Sequence, residues 1–233
     1  MTLDGKTIAI LIAPRGTEEP EFAQPKAAVE QAGGKVVVIS LETGDAQAVN
    51  NDLDPGKTFP VDKAIGDVSA DQFDGLVIPG GSVGADKLRA SKDVVAFVHA
   101  FFEAGKPVAA ICHAPWTLVE ADVVKGRTLT SFPSLQTDIR NAGGNWVDQE
   151  VVVDKGLVTS RTPDDLPAFC AKLIEEIAEG RHAEQTVSAG AVTVSPARSS
   201  SSPVPPPASV KARPAVSPPR ARCSSWATRT RRA

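Results

Sequence analysis

Short apolar runs separated by polar, glycine-rich stretches set the rhythm of the chain. Thr7 to Ala13 is an isoleucine-rich run, and Val36 to Leu41, Gly75 to Pro79 and Pro107 to Ile111 repeat the pattern. Runs this short, apolar at nearly every position, predict strands buried on both faces. Between them the apolar positions recur at helical spacing. Helices are predicted from about Glu21 to Ala32, stopped by Gly33-Gly34, and from Asp93 to Glu103, closed by Gly105. A further helix starts at Ala114-Pro115, where proline suits the first turn. Leu135 to Ala142 predicts another, ended by Gly143-Gly144, and Asp164 to Glu179 a last one, with Thr162 as a plausible cap. Val151 to Val153 and Leu157 to Ser160 read as two short strands around the turn Asp154-Lys155-Gly156. Residues 43–60 are polar, with Gly44, Pro55, Gly56 and Pro60; they predict a loop or hairpin, followed by a short strand at Val61 to Ile65.

Strands alternating with helices imply parallel pairing. The predicted fold is α/β, a three-layer sandwich around a mostly parallel, flavodoxin-like sheet. In such a sheet, sites form at the carboxyl ends of the strands. Three loops fall there: Pro14–Glu19, Pro79–Gly84 and Cys112–Pro115.

The pattern changes near position 182. The body, 1–181, is expected to be one catalytic domain; 182–233 is dominated by Ser, Pro, Ala and Arg, as in Ser199-Ser200-Ser201-Ser202-Pro203. Such a segment buries too little apolar surface to offset its ordering entropy, and disorder is expected. It also resembles the product of a shifted reading frame through GC-rich coding sequence. From Arg181 onward eight Arg and one Lys face a single acid, a net of +8 in a chain whose total is −3, which leaves −11 on the rest. An acidic body argues against a nucleic-acid protein. No apolar run approaches a membrane span, and the first residues, Met1 to Lys6, do not read as a secretory signal. The three cysteines, Cys112, Cys170 and Cys223, are widely separated and show no CxxC spacing. This fits a reducing, cytoplasmic setting rather than a disulfide framework or structural zinc. The histidines lack ligand spacing and there is no phosphate-cradling glycine motif, so no cofactor or metal is expected.

The most informative string is Ala109-Ala110-Ile111-Cys112-His113-Ala114-Pro115. A buried strand runs into Cys112 and a helix begins just after it. Such a turn exposes the sulfur at the sheet edge, aims free N–H groups of the helix start at its target, and favours thiolate. The bare pattern leaves open that Cys112 is a small buried residue. His113 is a proton carrier or a histidine at the helix start. His99 on its helix looks structural, and Cys170, inside the last helix, reads as core. The acids Glu18, Glu19 and Glu21 are either a charged first turn or a carboxyl able to share a proton with the sulfur. Gly80-Gly81 would let backbone N–H groups approach a reacting carbonyl.

Together these residues resemble the ThiJ/PfpI family of the class I glutamine amidotransferase-like superfamily, in its PfpI-like peptidase/deglycase branch. The resemblance is carried by Glu18-Glu19-Pro20-Glu21, Ile78-Pro79-Gly80-Gly81, Gly105 to Pro115, Gly126 to Ser131, Asn141 to Trp146, Val151 to Asp154, Thr159 to Arg161 and Pro163 to Leu166. It covers roughly residues 6 to 180. It implies Cys112 as nucleophile, His113 beside it, and Glu18 as the glutamate that hydrogen-bonds the sulfur, with Glu21 and Pro25 on the following acid and proline. Gly81 and His113 would donate the oxyanion-hole N–H groups. An acid from a neighbouring subunit would complete the triad at His113, and Asp86 holds the matching position after a loop one residue longer. Ala114 departs from the family's usual glycine. The implied activities are cysteine hydrolase, as peptidase or as deglycase/glyoxalase on small carbonyl compounds, glycated proteins or peptides, in a homo-oligomer with a shared site. Redox sensing or chaperoning without turnover, and a purely structural role, are the competing readings.

Overall fold

A computed structural model of the chain describes residues 1–185. Along the chain run β1 (Thr7–Leu11), β2 (Arg15–Glu18), α1 (Glu19–Gln31), β3 (Lys35–Ser40), β4 (Gly44–Asn50), β5 (Asp54–Val61), β6 (Lys63–Ala64) and β7 (Gly75–Ile78). Then follow α2 (Ser82–Arg89), α3 (Lys92–Glu103), β8 (Val108–Ile111), α4 (Pro115–Glu120), β9 (Thr128–Leu129) and α5 (Gln136–Asn141). The described chain closes with β10 (Asn145–Trp146), β11 (Val151–Asp154), β12 (Leu157–Ser160) and α6 (Leu166–Glu179). Seven strands form the central sheet in the order β11-β12-β8-β7-β1-β3-β6. Every neighbouring pair is parallel except β11–β12, an antiparallel hairpin. The predicted α/β sandwich is the observed one.

The sheet is buried on both faces, and the two-residue period sorts its side chains. Ile8, Ile10 and Ile12 join Phe22 and Val29 of α1 and Phe169, Leu173 and Ile177 of α6 in one core. Ala9 and Leu11 point the other way, with Leu88 of α2, Val98, Phe101 and Phe102 of α3 and Leu118 of α4. That is why these runs are apolar without alternation. Each wholly buried ring, such as Phe22 or Phe169, contributes roughly 2–3 kcal/mol by leaving water.

One open alternative is decided and two details differ from expectation. Residues 43–60 are the hairpin alternative: β4 and β5 pair antiparallel and, with β2, form a separate three-stranded sheet. Pro55 and Pro60 sit in β5, at the edge of that sheet, where a missing N–H is tolerated. The loop Pro79–Gly84 is shorter than read, because α2 starts at Ser82, straight after Gly81. The packed body also runs past position 181. His182 donates its N–H to the Gly105 carbonyl at 2.7 Å, Gln185 is fully buried, and the Arg127 guanidinium donates to the Gln185 carbonyl. The rest of the proposed tail, its reading-frame origin and Cys223 lie outside the described residues. Among the described residues no helix is long and apolar enough to cross a membrane.

Candidate active site

β8 is buried at all four positions and delivers Cys112 at the carboxyl end of the sheet. Cys112 has φ +62°, a left-handed conformation that costs a non-glycine residue on the order of 1–2 kcal/mol. Hydrogen bonds hold it there. Its N–H donates to the Ser160 carbonyl at 3.1 Å, and its carbonyl accepts from the Phe132 N–H at 2.8 Å. The chain turns at once into α4, which begins at Pro115. Ala114, the departure from glycine, has φ −54° and a side chain buried in the main core. No positive φ demands glycine there.

The sulfur is met from several sides. The backbone N–H groups of Gly81 and His113 face it and favour its ionised form. His113 Nδ1 lies 3.1 Å from Sγ. The Glu21 carboxyl interacts with it from α1. Gly80 is what allows the approach: a Cβ there would fall 2.7 Å from Cys112 Cβ and 2.7 Å from Glu21 Oε2.

The structure places Glu21, not Glu18, against Cys112. The reason is the phase at which β2 becomes α1. The helix begins at Glu19, so Glu18 is the last extended residue. Its carboxylate turns to the β4–β5 tip, accepting the N–H of Asn51 at 2.8 Å and of Asp52 at 3.1 Å. Glu21 falls on the buried face of α1 with Phe22, Pro25 and Val29. Its Oε2 accepts the Gly80 N–H at 2.9 Å, and Oε1 has no hydrogen-bond donor among the described residues.

Burial pushes the Glu21 carboxyl up to about 8, against the hydrogen bonds from Gly80 and Cys112. At neutral pH it is a neutral acid, which suits an oxygen without a donor. Burial, followed by the charge of an ionised Glu21, pushes the Cys112 thiol up as well. With the proton on Glu21 that repulsion disappears, and the carboxyl becomes a donor toward sulfur. The two groups therefore titrate as a pair. His113 is held below its ordinary value by burial, with the Asp52 carboxylate opposing. Its ring stacks on Phe132, with centroids 4.6 Å apart, and Nε2 lies 3.4 Å from both Ser82 Oγ and Ser134 Oγ.

A cleft of about 170 Å3 opens on Cys112, His113, Glu21, Glu18, Asp52 and Phe132. Gly81, at φ +86°, turns the chain from the end of β7 into α2 beside Cys112. Asp86 does not border it. Exposed on α2, Asp86 lines a larger groove of about 850 Å3 with Arg89, Lys92, His99 and Glu120. Cys170 is half-buried on α6, and burial pushes its thiol up to about 11. Among the described residues one set of possible metal ligands converges, Glu176, Glu179 and His182 at the end of α6. It lies outside the cleft, and His182 Nε2 stands 3.3 Å from a carboxyl oxygen of Glu176.

Sequence reasoning missed Asp52, Ser82, Phe132 and Ser134. The triplet Asn50-Asn51-Asp52 did hold a signal, since Asn and Asp tolerate positive φ, and Asn51 (+53°) and Asp52 (+64°) adopt it.

The DJ-1/PfpI family model matches residues 6–176. Bacillus subtilis (strain 168) has a similar protein, named cysteine protease YraA, 46% identical over 164 residues, 70% of this chain and 94% of that one. Protein/nucleic acid deglycase 2 of Escherichia coli (strain K12) is 44% identical over 165 residues, 70% of this chain and 93% of that one. Among solved structures, Drosophila melanogaster DJ-1beta superposes with a TM-score of 0.66 at 32% identity, covering 77% of this chain and 95% of that one. A two-domain DJ-1/ThiJ/PfpI-like and ferritin-like protein from Anabaena variabilis superposes with a TM-score of 0.69 at 35% identity, covering 74% of this chain; the chain spans about half of that protein. With the family match extending over most of the chain and the cysteine elbow in place, this chain belongs to the DJ-1/PfpI family.

Proposed function

We propose that this protein is a PfpI-type cysteine hydrolase acting on reactive carbonyl adducts of proteins, peptides or small molecules. The carrying observation is the imidazole nitrogen 3.1 Å from the sulfur, with a buried carboxyl beside it and the backbone N–H groups of Gly81 and His113 favouring its ionised form. In this reading the Cys112 sulfur bonds to the electrophilic carbon as its proton passes to His113 Nδ1. The carbonyl electron pair moves onto oxygen, where the N–H groups of Gly81 and His113 receive the charge. The protonated imidazole then gives the proton to the nitrogen as the C–N bond breaks and the carbonyl re-forms, and a water, deprotonated by the same imidazole, attacks the resulting thioester, releasing the acid and returning the proton to the Cys112 sulfur. Glu21, neutral below about pH 8, keeps a second negative charge away from the sulfur. The names of relatives support this choice: one is a protein/nucleic acid deglycase, and others are Deglycase TK1284 of Thermococcus kodakarensis and General stress protein 18 of Bacillus subtilis.

We place the active form in a homo-oligomer in a reducing, cytoplasmic setting. Two facts support the assembly: Asp86 is exposed and does not line its own cleft, and His113 Nε2 meets only hydroxyls at 3.4 Å among the described residues. A neighbouring copy's Asp86 would supply the missing acid. The free Cys112 and Cys170 fit the compartment.

The test compares wild type with Cys112→Ala on methylglyoxal, on methylglyoxal-modified peptides and on unmodified peptide substrates. Full activity in the variant would sink the proposal. A gain of 32 Da confined to Cys112 after mild peroxide, with no turnover of any substrate, would instead establish the redox sensor.

A further inference from the structure

Glu18 and Asp52 line the reactive cleft without touching the sulfur. Their hydrogen bonds form one connected path. Asn51 and Asp52 are consecutive residues at φ +53° and +64°, a costly arrangement for residues with a Cβ. It points two successive N–H groups the same way, an anion-binding concavity, and the Glu18 carboxylate fills it at 2.8 and 3.1 Å. The tip so fixed presents the Asp52 carboxylate, whose Oδ1 accepts the Ser82 N–H at 2.7 Å, at the first residue of α2. The Ser82 hydroxyl in turn lies 3.4 Å from His113 Nε2. Glu18 is also tied back to the oxyanion side, its own N–H donating to the Gly80 carbonyl at 3.2 Å.

We propose that Asp52 is a positioning residue for His113: clamped by Glu18, it fixes Ser82 against the ring and supplies the negative wall the imidazolium needs when the Cys112 proton arrives. The inference rests on the role proposed for His113 above. The ionisable groups facing the ring in the cleft are Cys112 from the elbow, Glu21 from α1, Glu18 from β2 and Asp52 from the hairpin tip. Across the ring, α4 offers Trp116 and the segment before α5 offers Phe132 and Ser134, none of them charged. Glu21 is the neutral acid and Glu18 is committed to two N–H groups, so within its own subunit Asp52 is the charge left to act on the ring, in addition to the Asp86 proposed to come from a neighbouring copy. Its carboxylate also favours the protonated imidazole, opposing the effect of burial.

The experiment is the His113 titration, followed by NMR in the full chain, with the pH profile of kcat, for wild type, Asp52→Asn, Asp52→Ala and Ser82→Ala. Asp52→Asn keeps an acceptor for the Ser82 N–H and removes the charge. It is expected to lower the His113 pKa by roughly half a unit, less than a direct ion pair would, and kcat about tenfold with KM little changed. Asp52→Ala is expected to go further, with Asp52→Glu restoring part of the loss. Thermal unfolding separates these effects from misfolding. If Asp52→Asn leaves both the His113 titration and the pH profile unchanged, the proposal is overturned. If the titration shifts while neither protein turns over any carbonyl substrate, the clamp stands and the hydrolase reading falls. If Cys112→Ala is inactive but Asp52→Asn matches wild type in titration and rate, the hydrolase reading stands and the clamp falls.

Discussion

Glu21→Gln tests the buried acid directly. The side chain is fully buried, and its carboxyl is pushed from 4.5 to about 8. Below 4.5 the group is neutral both folded and unfolded, so its ionisation takes nothing from stability. Between 4.5 and about 8 the unfolded chain releases the proton while the folded chain keeps it, and stability falls as pH rises. Above about 8 the loss is complete. At about 1.4 kcal/mol per pH unit, the whole interval amounts to roughly 5 kcal/mol, an upper bound because local opening lets water reach the carboxylate. Glutamine has the same shape and keeps an acceptor for the Gly80 N–H, which Glu21 takes at 2.9 Å, but it does not ionise. Urea unfolding at pH 5, 6.5 and 8.5 is the assay. Relative to Glu21→Gln, wild type is expected to lose several kcal/mol from the lowest to the highest pH. The comparison cancels groups common to both proteins, such as His113 and Glu176. A difference constant within about 0.5 kcal/mol, well inside the shift expected from linkage, would refute a protonated Glu21. On the same proteins, iodoacetamide labelling of Cys112 is expected to change from two titration steps in wild type to one in the variant.

Three further outcomes follow from packing and burial. Gly80→Ala puts a methyl 2.7 Å from Cys112 Cβ; it is expected to cost about 1–3 kcal/mol and to abolish turnover, and a variant as active as wild type would contradict the close approach. Arg127 is buried and donates to the carbonyls of Val123 and Asp154 at 3.0 and 3.3 Å and to that of Gln185. Arg127→Ala strands these acceptors, and urea unfolding is expected to show a loss of about 2–4 kcal/mol; a loss under 0.5 would show that this anchor contributes little. Cys170, its thiol pushed to about 11 by burial, is expected at pH 7.5 to alkylate at least about a hundredfold more slowly than an ordinary free thiol, and peptide mapping over time reads this directly.

The parts of the fold that apolar pattern alone could reveal are those buried on both faces. β1, β7 and β8 have no exposed positions to interrupt the run and β3 only its first residue, Lys35, and the elbow after β8 is marked by where that run stops. The β4–β5 hairpin was only half legible because most of β5 is exposed and holds two prolines. α2 was not legible at all. Ser82-Val83-Gly84 reads as a turn, yet it opens a helix, and its glycine is there because only a bare Cα fits beside Gly16, whose carbonyl would lie 2.6 Å from an added Cβ. That constraint comes from β2, 68 positions earlier, and no local window contains it.

The same reasoning explains why the cysteine's acid was misassigned although all three candidates were recognised. Within Glu18-Glu19-Pro20-Glu21 the composition is uniform, and only the residue at which strand becomes helix decides where each carboxyl goes. With that boundary at Glu19, position 18 faces the neighbouring hairpin and position 21 the sheet edge. The cleft then sorts its acids by their donors. Glu18 takes two N–H groups and Asp52 one, both at the cleft wall. Glu21 is buried completely and takes one on a single oxygen. A carboxyl in that position is the one to hold a proton, and it lies beside the atom that must lose one. The division of labour among three like residues therefore follows from helix phase and backbone donors rather than from residue type.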